Sequence, residues 1–291
     1  MSRHPAGSVG FLVDAAAKTF TDAGIDTPRL DARLLVAYGL GRDPGWLIGH
    51  PEAIPSPEEA RRIEALISRR AAREPLAYIT GEKEFWSLSF KVTPATLIPR
   101  PDSETLVEKV LDRIQNRQAA LRLLDLGTGS GCLLLALLHE LPNARGVGID
   151  RSADALTVAR ENGQALGLGE RVRFLLGNWF APLSGAAPFD IVIANPPYVS
   201  DAEMVTLEPE ILGFEPETAL RAGADGLDDY REILAGLLDW LAPGGLFCGE
   251  IGERQGAAAA ELARQAGLSG VGVEADGAGR ARCICGHAPE A

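Results

Sequence analysis

Asn195-Pro196-Pro197-Tyr198 comes straight off the apolar run Phe189-Asp190-Ile191-Val192-Ile193-Ala194 and makes a rigid, acceptor-rich loop at a strand end. Proline fixes φ, has no N–H, and holds the residue before it extended. The Asn195 side-chain oxygen and the Pro196 carbonyl can therefore both project into a site, while neither proline offers a backbone donor. That suits a planar –NH2 group, which brings two donors and must be held still.

A second constellation lies upstream. Asp125-Leu126-Gly127-Thr128-Gly129-Ser130-Gly131 follows a strand and opens a helix. Alternating glycines let the backbone turn tightly and approach a ligand closely. The spacing is G-x-G-x-G, and Cys132 stands where a dinucleotide fingerprint wants glycine, which argues against NAD. The turn also lacks the Gly-Lys-Ser/Thr of a P-loop, which argues against a triphosphate. The next strand ends in Asp150, placed to accept hydrogen bonds from both ribose hydroxyls, so the pair describes an adenosine-binding site. Asn178-Trp179-Phe180 follows the third strand. There Trp179 could lie against the base and Asn178 could bond its edge, or Trp179 could simply pack under the loop.

The elements that must position these residues fall into two textures. Up to about residue 82 the chain reads as helices only. One carries Val9, Leu12, Val13, Ala16, Ala17 and Phe20, and one runs from Asp31 to Leu40. A third runs from Pro57 to Arg73, with Ser56 as N-cap and Pro57 at the first position. Residues 83–98 form an aromatic, partly alternating hairpin linker, centred on Glu84 to Val92. From 99 to 291 strands and helices alternate. The strands are Leu121–Leu126, Gly146–Asp150, Val172–Leu176, Phe189–Ala194 and Leu246–Ile251, with two short ones at the end. Helices are expected at Gly131–Leu141, Ala153–Leu166, Leu227–Leu241 and Gly256–Gln265. Such alternation implies an α/β, doubly wound, mostly parallel sheet. Ligands of such sheets sit beyond the strands' carboxyl ends, so the glycine turn, Asp150, Asn178 and the Asn-Pro-Pro-Tyr loop share one edge.

The bulk numbers narrow the partners. The 291 residues carry a net charge of −12, a balance that disfavours direct binding to nucleic-acid backbones. Arg61, Arg62, Arg69, Arg70 and Arg73 form the densest basic cluster and read as a solvated helix face rather than a partner patch. Four cysteines are too few and too irregularly spaced for a disulfide framework, and no metal is assigned. Cys283-x-Cys285 in a terminal strand is expected to point its thiols to opposite faces. With no signal pattern and no apolar span, a reducing cytoplasm, no membrane contact and a monomer are expected.

Asp125–Gly131, Asp150 and Asn195–Tyr198 resemble the S-adenosylmethionine-dependent class I methyltransferases that act on planar nitrogen. Arg73-Glu74-Pro75-Leu76-Ala77-Tyr78-Ile79-Thr80-Gly81, Glu84-Phe85-Trp86 and Leu97 through Glu108 resemble, more narrowly, the release-factor glutamine N5-methyltransferases. The resemblance covers nearly the whole chain. It implies a seven-stranded sheet whose seventh strand is antiparallel, with a small helical N-terminal domain that helps receive the partner. It implies S-adenosylmethionine as cofactor. The substrate would be the glutamine of the Gly-Gly-Gln loop of class I peptide chain release factors, and methylation would modulate translation termination. Carried over by position, Gly127, Thr128, Gly129, Ser130 and Gly131 line the cofactor's methionine end, Asp150 its ribose and Trp179 its adenine. Asn195, Pro196, Pro197 and Tyr198 hold the glutamine amide, with Tyr198 stacked on its plane. Arg100, Ser103 and Glu104 close over the site. Asn178 stands where the family often has an acid, and Ser103 where it often has threonine. A ribosomal-protein glutamine methyltransferase, an adenine-N6 methyltransferase and a cofactor-binding regulator are the rivals.

Overall fold

Ser56 caps the helix Pro57–Ala71 reciprocally: its hydroxyl accepts from the Glu59 N–H, and the Glu59 carboxylate accepts from the Ser56 N–H at 2.7 Å. This helix belongs to the first of two compact units in the computed structural model, which describes residues 4–290. The unit comprises the chain through Gly81 together with Glu208–Phe214, a short helical excursion from far along the sequence (Pro209–Phe214 is its helix). Its other helices are Val9–Asp22, Pro28–Leu40, Trp46–Gly49 and Leu76–Thr80. Phe20, Leu35, Val36 and Ile63 form the centre of its core. At Gly39 a Cβ would come within 2.4 Å of Ile63, so only glycine lets these two helices approach so closely.

The arginine cluster is not a plain solvated face. Arg70 is buried and pairs with Asp31 at 2.8 Å and Glu210 at 3.2 Å, and Arg73 also reaches Glu210. Arg62 donates to the Gly39 and Tyr38 carbonyls at the end of a neighbouring helix, and Arg69 pairs with Glu74. A charge removed from water needs partners, and these arginines find them inside the unit. Spacing along one helix could not reveal a carboxylate that arrives from residue 210.

The second unit begins with the hairpin, β1 (Glu82–Phe85) and β2 (Leu88–Lys91). Its two-residue turn places Trp86 and Ser87 at φ 54° and 57°, the doubly left-handed geometry that matches strand twist. Neither residue is glycine, and the Trp86 N–H is held by Glu104 Oε1 at 2.8 Å and its indole N–H by Glu140 Oε1 at 2.9 Å.

The main sheet contains β3 (Arg122–Leu126), β4 (Arg145–Asp150), β5 (Val172–Leu176), β6 (Phe189–Ala194), β7 (Leu241–Glu250), β8 (Ser269–Ala275) and β9 (Ala281–His287). Its seven strands run in the order β5-β4-β3-β6-β7-β9-β8, parallel except that β9 lies antiparallel between β7 and β8. Both faces are buried. Leu123, Ile191 and Ile193 face one core, while Leu124, Leu126 and Val192 face the other. The strand order reverses at β3 and β6, so the crevice beyond their carboxyl ends is the place for a ligand.

Some expectations shift here. The helix Glu104–Arg113 was not anticipated, although Leu106, Val107, Val110 and Leu111 carry its period. The expected helix 227–241 is shorter, Asp228–Gly236, because Leu241 already pairs with Phe189 in the sheet. Cys283 and Cys285 share a face instead of opposing, since strand residues two apart always do. Cys285 stands opposite Cys248 with Cα atoms 4.3 Å apart, and the two are disulfide-linked. Among the described residues no helix is long and apolar enough to cross a membrane.

Candidate active site

A cleft with about 970 Å³ of empty space, open solvent included, lies at the sheet's carboxyl edge within the second unit. Gly127, Thr128, Gly129, Ser130, Asp150, Trp179, Asn195 and Pro197 line it, together with Asn178 and, from the linker, Arg100 and Ser103. Of the residues singled out in the sequence, Gly131, Pro196, Tyr198 and Glu104 do not line the cleft. Glu104 turns back to hold the hairpin instead.

The glycine wall is built locally. The Gly127 and Thr128 N–H groups both donate to the Ile149 carbonyl at 2.9 Å, so the turn after β3 is tied to the end of β4. Gly129 donates to Asp150 Oδ2 at 2.9 Å and Ser152 donates to Asp150 Oδ1 at 2.8 Å. Each carboxylate oxygen keeps a further lone pair for a ligand hydroxyl. Gly129 has φ 54°, and a Cβ there would meet nothing within 4 Å. It is therefore the backbone geometry that asks for glycine, and the open side is left for a ligand. Gly131, at φ 82°, instead backs onto Leu135 and starts the helix Cys132–Glu140.

Behind this turn Asp125 is buried and accepts from the Thr128 hydroxyl at 2.6 Å; burial pushes its carboxyl up to about 7. Burial likewise pushes the Cys132 thiol up to about 12, so it stays protonated and is no nucleophile.

Trp179 takes a left-handed backbone, φ 43°, which a non-glycine residue adopts at a cost of roughly 1–2 kcal/mol. The bend brings its ring over Gly127, and its indole N–H is buried without a partner. Asn178 donates to Glu232 at 2.8 Å, which leaves its oxygen for another group. An acidic pair of acceptors, open space over a glycine and an orphaned indole donor fit a nucleoside-bearing ligand.

The acceptor wall is held from a distance. Asn195 directs its Nδ2 to Ser103 Oγ at 3.4 Å, which leaves Oδ1 for a ligand. Among the described residues no backbone N–H donates to the Pro196 carbonyl. The Tyr198 carbonyl accepts from Gln255 Nε2 at 2.9 Å, and its hydroxyl lies 3.5 Å from Glu250 Oε1. Burial raises the Tyr198 phenol above its ordinary range. From the linker, Arg100 pairs with Glu215, which also accepts from the Ile98 N–H at 3.1 Å. Sequence reading passed over Glu215, Glu250 and Gln255. Each sits on a segment remote in sequence, and the acid at the end of β7 was the only signal available.

Cys283, the free thiol beside the Cys248–Cys285 pair, lies in the core and does not line the cleft.

The profile of the PrmC N-terminal domain matches residues 12–81, and that of a methyltransferase domain matches residues 117–274. The release factor glutamine methyltransferase of Rhodospirillum rubrum is 44% identical over 95% of this chain and 84% of its own. That of Cereibacter sphaeroides is 44% identical over 95% of this chain and 97% of its own. Among solved structures, the hMettl16 catalytic domain in complex with MAT2A 3'UTR hairpin 1 has a TM-score of 0.57 at 16% identity. It covers 84% of this chain and 87% of that one and shares the fold.

Proposed function

Because the chain belongs to the release factor glutamine methyltransferase family, we propose that it methylates the side-chain amide nitrogen, N5, of the glutamine in the Gly-Gly-Gln loop of class I peptide chain release factors. The observation that carries the reading is Asn195. Its Oδ1 is left free at the wall of a cleft whose opposite wall suits a nucleoside-bearing donor.

S-adenosylmethionine, when bound, supplies a methyl group already activated by its sulfonium. Asp150 would hold the ribose hydroxyls, Trp179 the adenine, and the Gly127–Gly131 turn the methionine end. An amide nitrogen is a poor nucleophile, because its lone pair is delocalised into the carbonyl. Asn195 Oδ1 on the cleft wall, with the Pro196 carbonyl beside it, would accept its two N–H bonds and hold the nitrogen still. Alignment of this kind removes much of the barrier. Accepting a methyl group would place positive charge on the nitrogen. The two fixed dipoles stabilise it, each typically by a few kcal/mol. The methylated amide would then give one proton to solvent water and regain its planar, neutral form. Pro197 walls the slot; Tyr198, which does not line the cleft, would turn in to stack on the amide plane once substrate enters. The helical unit through Gly81 receives the release factor.

Labelled S-adenosylmethionine offered with a purified release factor, ribosomal proteins and nucleic acid in parallel tests this reading. Label in the release factor alone is expected. Label confined to ribosomal protein or nucleic acid would replace the substrate and leave the cleft's chemistry standing.

A further inference from the structure

Asn178 lies two residues beyond the end of β5 and lines the cleft, as does Trp179. Its Nδ2 donates to Glu232 Oε1 at 2.8 Å, and Glu232 is not itself part of the cleft's lining. Both ends of this bond are placed by backbone and packing. The Gly177 N–H donates to the Asp150 carbonyl and the Ala181 N–H to the Asn178 carbonyl, each at 3.0 Å, so the turn that carries Asn178 is tied to the end of β4. Glu232 lies on the helix Asp228–Gly236, whose Tyr230 and Ile233 are buried in the core. One helical turn on from Glu232, Gly236 backs onto the Phe180 ring, which a Cβ there would meet at 3.1 Å. The helix face that carries Glu232 is thereby held against residues 178–180.

The chemistry of the bond fixes its direction. An ionised carboxylate only accepts, and of the two ends of a primary amide only the nitrogen donates. Glu232 therefore takes the Asn178 nitrogen, and Oδ1 is the end left to the cleft. Turning the amide over would set two acceptors against each other. Asn178 thus presents an acceptor, as a carboxylate would, without bringing a charge into the cleft.

We propose that Glu232 is a positioning residue that makes the cleft selective for a 6-aminopurine, by holding Asn178 Oδ1 as the acceptor for the base's exocyclic amine. The inference deepens the functional reading above and rests on its nucleoside-bearing donor. A base with a carbonyl oxygen in place of that amine brings an acceptor, which Oδ1 repels. Glu232 keeps the amide from turning its nitrogen to meet it. Asn178 and Glu232 are exposed, and in water such a bond contributes little; it counts once the base covers it. The base edge thus depends on a residue 54 positions away, unlike the glycine turn.

Calorimetry with S-adenosylhomocysteine and its deaminated analogue S-inosylhomocysteine tests this without any methyl acceptor. The two ligands carry the same charge and differ only in the base. Wild type is expected to bind the adenosyl compound about ten- to hundredfold more tightly than the inosyl one. Glu232→Gln can donate as well as accept, so Asn178 is free to present either end. The ratio of the two Kd values is expected to fall about tenfold, chiefly because the inosyl compound binds more tightly. Glu232→Lys only donates, which draws Oδ1 away and turns the nitrogen to the cleft, and the ratio is expected to fall further. Both variants change an exposed side chain, so folding is not at stake.

A general effect of the lost charge, or of a disturbed helix, would shift both Kd values together and leave their ratio alone. A ratio within about twofold of wild type in either variant, or a wild type without preference, overturns the proposal. Wild-type protein that binds neither ligand would sink the cofactor reading and this inference with it. Binding with an unmoved ratio sinks the inference alone.

Discussion

The two walls of the cleft are made in opposite ways. The glycine wall is tied together by bonds of shorter range, 3, 21 and 2 positions: Asp125 to Thr128, Gly129 to Asp150, Asp150 to Ser152. The acceptor wall depends on Ser103, Glu250 and Gln255, which lie 92, 52 and 57 positions from their partners in the loop. The difference teaches where selectivity is stored. A nucleoside pocket can be encoded in one strand-turn-strand segment and carried by any member of the fold. The proposed grip on a planar amide would instead be a property of the assembled sheet edge, because its orienting groups arrive on other strands and turns.

Four experiments break or sharpen that contrast. Asn195→Ala removes an acceptor and leaves the other wall intact. We expect a fall in kcat of about 10²–10³-fold, with Kd for S-adenosylmethionine unchanged by calorimetry. Equal loss of both would join the two walls into one functional piece. Asp150→Ala should do the reverse. It removes a charged acceptor, worth about 1.5–3 kcal/mol, so Kd for the cofactor should rise about ten- to hundredfold, with kcat at saturation within a few-fold of wild type.

The third experiment uses the acids behind each wall. Glu250 and Asp125 are both raised to about 7 from ordinary values of 4.5 and 3.8, and burial is the main cause in each. Since the folded state binds these protons more tightly than the unfolded chain, their contribution to stability is full below the ordinary values. It is lost as pH rises through about 7. Denaturant unfolding of E250Q, compared with wild type, should lack one proton's share of that slope, up to ~1.4 kcal/mol per pH unit, between about pH 4.5 and 7. Parallel curves for the two proteins would show that Glu250 titrates normally. The smallest effect is expected for Gln255→Ala, which frees the Tyr198 carbonyl. We expect a drop in kcat of about two- to fivefold, consistent with one neutral hydrogen bond, and no change in cofactor affinity. A loss of cofactor affinity in this variant would mean that the acceptor wall also shapes the nucleoside pocket.

The same contrast explains what the sequence made legible. The strands Val172–Leu176 and Phe189–Ala194 have the expected bounds: the second is an apolar run broken only by Asp190 and mostly buried in the sheet, the first an edge strand marked by its apolar residues between turns. Ser56 and Pro57 announced a helix start because capping is chemistry between near neighbours. The glycine turn and Asp150 were readable for the same reason. Glu215 and Gln255 were not, since nothing local distinguishes an acid or amide that serves a partner dozens of residues away. Arg70 makes the point in the other unit. On its helix it resembles one more surface arginine, yet it is buried against Asp31 and Glu210.

The measurement that tests the account most directly is to locate the transferred methyl. A release factor treated with the enzyme and S-adenosylmethionine is digested and sequenced by tandem mass spectrometry, beside a factor whose Gly-Gly-Gln glutamine is replaced by alanine. We expect one methyl on the side-chain amide of that glutamine and none in the variant. A methyl on a carboxylate, hydroxyl or basic side chain, or one that persists in the variant, would contradict an acceptor wall built for a planar amide.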